Sequence, residues 1–196
     1  QLEHGLKLHA ESLIFDGYAF SPRTSTDPVI IAKMIEDGAS EVELQDATED
    51  MGMTRAVTNL REREEFMMAF RASGVTCIYQ NAGEECQHPQ RLIKRLARFT
   101  FLTDMLKPFL TKATTPNDID LVKKDGRHCL YLTGNGVPLP HDWISVEAEL
   151  RTIRVFFQLG IRMMHVTYQR RNMLGDGCAV TANGGLSDFG RQAIAE

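Results

Sequence analysis

The chain has 196 residues, of which 43% are hydrophobic and 24% are charged, and its 22 basic and 26 acidic side chains give a net charge of −4. This composition is typical of a soluble globular protein, and it leaves no basic excess with which to bind the phosphates of a nucleic acid. No apolar run approaches the roughly 20 residues that span a bilayer, and no signal peptide is visible, so we expect no membrane segment and favour a cytoplasmic location.

Strands and helices alternate in the first half of the chain. Asp27-Pro28 is typical of a helix start and Gly38 of a helix end. The alternation of polar and apolar residues in SEVELQ favours a strand. The elements predicted here are a strand over Ser12–Phe20, a helix from Pro28 to Gly38, a strand over Ser40–Gln45, a helix over Thr54–Ala72, a strand over Val75–Gln80 and a long helix from His88 to about Leu110.

The second half continues the same alternation. The long helix that begins at His88 has a basic side, formed by Arg91, Lys94, Arg95 and Arg98. This pattern favours a solvent-exposed face. Helices that join strands at glycines are typical of parallel βαβ units, so we predict one α/β domain over residues 1–196. The elements predicted here are a short helix from Thr115 to Asp125, a strand over His128–Thr133, a helix over Ser145–Leu159, a strand over Ile161–Tyr168 and a final helix that begins near Ser187.

No conventional catalytic motif is present in the sequence. The six histidines lack metal-binding spacing, and neither a phosphate-binding glycine loop nor a serine nucleophile elbow occurs. Position along the strands then indicates candidates, because the carboxyl ends of parallel barrel strands build the active site. Those ends hold Tyr18, Phe20, Asn135 and Tyr168. Taken singly, each also fits a core aromatic or a turn residue.

The sequence from the fourth βα unit onwards carries a recognisable motif. The motif reads LGIRMMHVTYQRRNMLGDGC, followed by NGGLSDFGRQAIAE. The first segment includes Asn172, Asp176 and Cys178. These segments resemble LGVRYLTLTHNRNNxxADGC and GLSDFGREVVREMN of the membrane (renal) dipeptidase family. SLIFDG and TPNDIDLVKKDGRHCLYLTGNG resemble that family's first and third strands, and the match is loose only over Asp50–Gln90. The resemblance implies a metal-dependent hydrolase on a (β/α)₈ barrel, typically with two zinc ions, that cleaves dipeptides.

The positions that the resemblance would assign to chemistry are changed in this chain. Tyr18 and Phe20 stand where the family has two metal ligands, Asn135 stands where it has a bridging glutamate, and Tyr168 replaces a substrate-contacting histidine. A neutral amide rarely bridges two divalent cations. His165 lies three residues before Tyr168 on the predicted strand, so we expect it on the opposite face. No metal ligand is therefore assigned within this chain.

The resemblance and the strand ends together predict a divergent dipeptidase-like hydrolase that cleaves a dipeptide or a related small amide. One zinc ion, rather than the two typical of the family, would activate water and would be held by residues outside this chain. Tyr18, Asn135 and Tyr168 would line the substrate pocket, and Asn172 and Asp176 would shape the adjoining loop. Three alternatives stay open: a catalytically silent barrel with a binding or assembly role, a pocket rebuilt for another small substrate, and a generic partner-binding domain.

The length bears on the fold. A complete barrel of this type has roughly 250 residues, so 196 residues with about four βα units predict the N-terminal half of a (β/α)₈ TIM barrel. Open sheet edges predict that this half does not fold stably alone and needs the C-terminal half or a second chain, such as a homodimer partner. Wide spacing predicts reduced thiols at Cys77, Cys86, Cys129 and Cys178.

Overall fold

The computed structural model describes residues 1–84 and 88–196. Residues 85–87, which include Cys86, lie outside the described part. No helix in the described part is long and apolar enough to cross a membrane. The helices are α1 (Leu2–Glu11), α2 (Pro28–Glu36), α3 (Glu41–Thr58), α4 (Leu60–Ser73), α5 (Pro89–Met105), α6 (Pro116–Lys124), α7 (Val146–Gln158) and α8 (Asp188–Ala195). The strands are β1 (Phe15–Ala19), β2 (Cys77–Asn81), β3 (Leu110–Ala113), β4 (His128–Gly134) and β5 (Met163–Met164).

All the strands run parallel in one sheet. The order is β1-β2-β4-β3, and β5 pairs with the end of β4 beyond the stretch that β3 covers. Leu110 of β3 lies opposite His128, whereas Met163 of β5 lies opposite Thr133. Helices connect successive strands, as parallel pairing requires. The structure is therefore half of a parallel α/β barrel, which confirms the fold predicted from the sequence.

The two faces of the sheet pack differently. Ile78, Leu130 and Leu132 face a large apolar core formed with α3, α4, α5 and α7. The opposite face carries Cys77, Cys129 and the stacked rings of Tyr79 and Tyr131, whose centroids are 4.8 Å apart, and α6 covers its amino end. The neighbouring Cys129 thiol and burial raise the pKa of Cys77 well above its usual range. Cys77, Cys129 and Cys178 are free thiols.

The strand predicted over Ser40–Gln45 is wrong, because these residues begin helix α3. Ser40 and Glu43 form a capping box, in which the Glu43 carboxylate accepts from the Ser40 N–H at 2.8 Å and the Ser40 hydroxyl accepts from the Glu43 N–H at 3.3 Å. Such a box satisfies backbone donors that a helix start would leave unpaired. Three alternating pairs of residues are too short a pattern to outweigh it.

Two predicted helix boundaries also change. The helix predicted over Thr54–Ala72 is divided at Asn59, whose side chain accepts from the Glu62 N–H and caps α4. The long helix α5 ends at Met105, because Pro108 cannot continue it and Leu110–Ala113 forms the additional strand β3.

The solvent-exposed basic face predicted on α5 is wrong for Arg95 and Arg98, which are only 7% and 9% exposed. Helix α3 packs against this face and supplies carboxylates. Glu49 accepts two hydrogen bonds from Arg95, at 3.0 and 2.6 Å, and Asp46 and Asp50 accept from Arg98 at 2.8 and 3.0 Å. A strand over Ser40–Gln45 offers these cations no partner, whereas the helix that the residues form places its carboxylates beside α5.

Candidate functional site

Three aromatic rings and one carboxamide meet at the carboxyl end of the sheet. The ring of Tyr18 lies 5.0 Å from that of His165, and the rings of His165 and Tyr168 are 6.3 Å apart and parallel within 13°. Nδ1 of His165 lies 2.9 Å from Oδ1 of Asn135. Strand β1, the loop after β4 and the segment after β5 contribute these side chains. We call Tyr18, Asn135, His165 and Tyr168 the strand-end cluster.

An irregularity in β1 places Tyr18 in the cluster. Asp16 pairs with Ile78 and Ala19 pairs with Gln80, so that β1 has one more residue than β2 between the two pairs. Such a bulge bends a strand and redirects side chains. Tyr18 is 37% exposed. Burial, and then the nearby Tyr168, raise the pKa of Tyr18, so its phenol stays a hydrogen-bond donor at neutral pH.

His165 is the member of the cluster that sequence reasoning missed. Regular pairing ends at Met164, and the carbonyl of Gly134 accepts from the His165 N–H at 3.2 Å, which brings the ring beside Asn135. The expected placement on the opposite face from Tyr168 is therefore wrong, because residues 165–168 do not continue the alternation of a strand. Because the Asn135 oxygen can only accept, Nδ1 of His165 is the donor of this hydrogen bond, and a neutral imidazole with its proton on Nδ1 has Nε2 as its acceptor.

Asn172 organises the loop that follows the cluster. Its amide group donates to the carbonyl of Val166 at 2.9 Å, and its oxygen accepts from the backbone N–H of Leu174 at 2.8 Å. Both ends of the carboxamide thus bind backbone, which fixes the path of the loop. A direct contact of Asn172 with substrate stays a prediction.

Asp176 joins the two sides of the same loop. Its carboxylate pairs with Arg171 and accepts from the Gly184 N–H at 2.6 Å. The Arg171 guanidinium and this backbone N–H hold the pKa of Asp176 below its usual value. Its side chain is therefore a stable anion that closes the loop, and its predicted role towards substrate stays a prediction.

Glycines of the recognised motif occupy places where no side chain fits. A Cβ on Gly190 would overlap the carbonyl oxygen of Leu174, and a Cβ on Gly177 would overlap the backbone of Gln169 and Arg170. The N–H of Gly190 also bonds Ser187 Oγ at 2.9 Å and so helps to start α8. Close backbone packing accounts for these motif positions without any catalytic role.

The residues at the expected metal positions do not fit a metal ion. They offer the phenol of Tyr18, the apolar ring of Phe20 and the carboxamide of Asn135, and Phe20 lies outside the cluster with Arg23 at 5.9 Å from its ring centroid. Within residues 1–84 and 88–196, no three His, Cys, Asp or Glu side chains come together as a metal site. A zinc site needs at least three protein nitrogen, sulfur or oxygen ligands.

Comparisons with known proteins agree with this architecture. No family model and no curated protein matches the sequence. Among solved structures, an amidohydrolase from Pseudomonas aeruginosa matches 97% of the chain at 19% identity with a TM-score of 0.62. The probable dipeptidase PvdM from Pseudomonas aeruginosa matches 99% at 14% identity with a TM-score of 0.65. The chain therefore shares the fold of part of these structures.

A third structure extends the likeness. The dipeptidase AC, described as a metallopeptidase of family M19, matches 93% of this half-barrel chain at 12% identity with a TM-score of 0.55. The half barrel spans 44%, 46% and 52% of the three solved chains, which is about half of their length. At these identities the likeness establishes the fold alone.

Proposed function

We propose that the protein is a divergent dipeptidase-like hydrolase that cleaves a dipeptide or a related small amide. In this proposal residues 1–196 form one domain, and its strand-end cluster binds the substrate. The observation that carries the proposal is the convergence of Tyr18, Asn135, His165 and Tyr168 at the carboxyl end of a parallel half barrel. In barrels of this kind the active site lies at that end.

The chemistry of the cluster suits a peptide-like molecule. The phenols of Tyr18 and Tyr168 can donate to a carbonyl or carboxylate, and Nε2 of His165 can accept from an amide or ammonium group. Asn135 holds the imidazole through Nδ1 at 2.9 Å. A ring held in this way keeps a fixed direction for its second hydrogen bond. The cluster is thus equipped to orient a small amide.

The metal that the dipeptidase resemblance implies is not held by the described residues. We therefore assign this chain the binding and orientation of substrate, and we leave the activation of water to residues outside it. The zinc ion expected from the resemblance belongs to that unassigned part of the proposal.

Activity on a dipeptide panel tests the proposal. The intact protein is expected to release free amino acids, and Asn135→Ala and Tyr168→Phe are expected to lower kcat/KM by roughly tenfold or more, because each removes a polar group worth about 1.5 kcal/mol in a binding site. Tyr131→Phe is the matched control, since it removes a phenol from β4 outside the cluster. Absence of amidase activity together with absence of a bound transition metal would refute the proposal.

A catalytically silent barrel with a binding role is the second candidate. The observation that favours it is the lack of metal-binding side chains at Tyr18, Phe20 and Asn135. Tyr18→His, Phe20→Asp and Asn135→Glu, made together, separate the two candidates by elemental analysis and amidase assay. A silent barrel gains metal binding, whereas a rebuilt enzyme loses the activity that it had.

A further inference from the structure

The loop between β4 and α7 carries two residues in an unusual backbone conformation. His141 has φ of 63° and Trp143 has φ of 50°, both in the left-handed region. Residues other than glycine, and bulky ones above all, rarely adopt this region, because their Cβ approaches the neighbouring backbone too closely. Two such residues so close together require the surrounding structure to hold them, and such strain is concentrated at sites of function.

A buried carboxylate holds the two residues in place. Glu149 on α7 is 1% exposed, and its Oε2 accepts from the His141 N–H at 2.9 Å while its Oε1 accepts from the Trp143 N–H at 2.7 Å. Both oxygens of one side chain therefore bind the two strained residues. The carboxylate fixes the loop before any ligand arrives, which is the arrangement expected of a preorganised binding surface.

The fixed loop presents an aromatic surface to solvent. The rings of His141 and Trp143 are parallel within 9°, with centroids 5.8 Å apart, and Phe189 of α8 lies 5.7 Å from the indole. Trp143 is nevertheless 45% exposed. We call His141 and Trp143 the aromatic plate.

The aromatic plate lies at the same end of the sheet as the strand-end cluster. Its loop begins with Asn135, directly after the carboxyl end of β4, and Phe189 follows the loop that leaves the carboxyl end of β5. Loops at the carboxyl ends of parallel strands build the substrate sites of α/β barrels. The plate and the strand-end cluster therefore lie at the end of the sheet where such loops bind substrate.

We propose that the aromatic plate is a second subsite, which stacks against an aromatic side chain of the peptide-like substrate. This inference rests on the proposed function and adds a substrate preference to it. Flat rings stack on an indole in offset geometry, and such pairs contribute beyond the burial of their area. The strand-end cluster binds the polar backbone of the substrate, and the plate selects its side chain.

Trp143 is the single tryptophan of the chain, so its fluorescence reports on the plate. The probes are two dipeptide analogues, Ala-Phe and Ala-Ala, each with a reduced CH₂–NH linkage that cannot be hydrolysed. In the intact protein, Ala-Phe is expected to change the Trp143 emission and to bind roughly three- to tenfold more tightly than Ala-Ala by calorimetry. Trp143→Ala is expected to abolish that preference.

Two further variants keep the test decisive. Phe101→Ala is the matched control, because Phe101 is similarly exposed at 42% but lies on α5, and it should retain the preference. Glu149→Gln keeps the indole but replaces an acceptor oxygen, so it should raise quenching of Trp143 by acrylamide and weaken the preference for Ala-Phe.

The outcomes separate the two proposals. Equal binding of both analogues, lost in Asn135→Ala but unaffected by Trp143→Ala, would overturn the aromatic subsite and leave the proposed function standing. If the intact protein binds neither analogue, both the aromatic subsite and the proposed function are overturned.

Discussion

At the scale of single residues, the glycines near the end of the chain are fixed by what surrounds them. Gly190 lies in the first turn of α8, directly against the backbone of Leu174. A methyl group there has no room, and the obstacle is main chain that cannot rotate away. The same glycine belongs to the motif that carried the resemblance, so its presence in that motif has a steric explanation.

Gly190→Ala is therefore expected to destabilise the intact protein by about 1–3 kcal/mol, the range typical of overpacking. Urea unfolding monitored by circular dichroism measures the change. Gly5→Ala is the control, because Gly5 also lies in a helix but has nothing within 4 Å of an added Cβ. An unchanged urea midpoint for Gly190→Ala would contradict the close packing of α8 against Leu174.

At the residue scale, the sequence predicts which side chains come together only where the position of a strand end suffices. Tyr18, Asn135 and Tyr168 follow from the ends of three strands, and the structure brings all three to one cluster. His165 did not follow, because its placement depends on where regular pairing stops. The carbonyl of Gly134 sets that point through its hydrogen bond to the His165 N–H, a tertiary contact that the local sequence does not encode.

At the scale of elements, Glu49 is the most buried of the three carboxylates through which α3 pairs with α5. Glu49 binds Arg91 and Arg95 directly and lies 3.5 Å from Arg98. Its side chain is 10% exposed, and those of Arg95 and Arg98 are similarly buried. Burial alone would raise the pKa of Glu49, but hydrogen bonds from Arg95 and Arg91 outweigh it and lower the pKa to about 2.

Glu49→Gln is expected to lower the free energy of unfolding by about 3 kcal/mol, because it leaves buried guanidinium groups without their shared anion. The folded-state pKa is below the ordinary value of 4.5, so this stabilisation is present above about pH 4.5 and is lost as the pH falls towards 2. Urea titrations at several pH values between roughly 3 and 7 measure this effect. The free energy of unfolding should depend less on pH in the variant than in the parent protein.

Glu65→Gln provides the comparison for Glu49→Gln. Glu65 pairs with Arg61 on the exposed side of α4 and should change stability by less than about 0.5 kcal/mol. Equal effects of the two substitutions would show that the α3–α5 ion pairs do not hold the helices together.

Sequence and structure agree for elements with strong end signals and differ for those defined by weak patterning. Asp27 accepts from the Val29 N–H and Pro28 begins α2, as the sequence indicates. In SEVELQ the alternation alone predicts a strand, although Ser40 and Glu43 have the spacing of a helix cap. A capping interaction is made within four residues, whereas a strand needs a neighbour that only the fold provides.

At the scale of the whole molecule, the half barrel leaves β1 as an edge. Within the described residues β1 pairs with β2 alone, and Asp16, Gly17 and Tyr18 in it are exposed. Exposed edge strands favour pairing with another chain. We propose that the remaining half of a barrel, or a second copy of this chain as in a homodimer, covers this edge.

Residues 1–196 alone are therefore expected not to unfold as a cooperative monomer. Sedimentation velocity should show association, or thermal melting should be broad, because an unpaired edge and a half-covered barrel interior lack packing partners. A sharp, concentration-independent melting transition of a monomer would contradict this expectation. Gly17→Lys adds a charged side chain to this edge, and it should reduce association if β1 is the surface involved.

The tightly packed glycines of the loop before α8 and of the first turn of α8 also determine where the chain tolerates a change of length. Gly175, Gly177 and Gly190 allow no displacement of the loop ends, whereas residues 181–184 at its tip are exposed. Exposed loop tips accept insertions most readily. A short peptide tag or a labelling site placed between Thr181 and Ala182 would leave both ends of the loop anchored, so the protein can be immobilised without using either terminus.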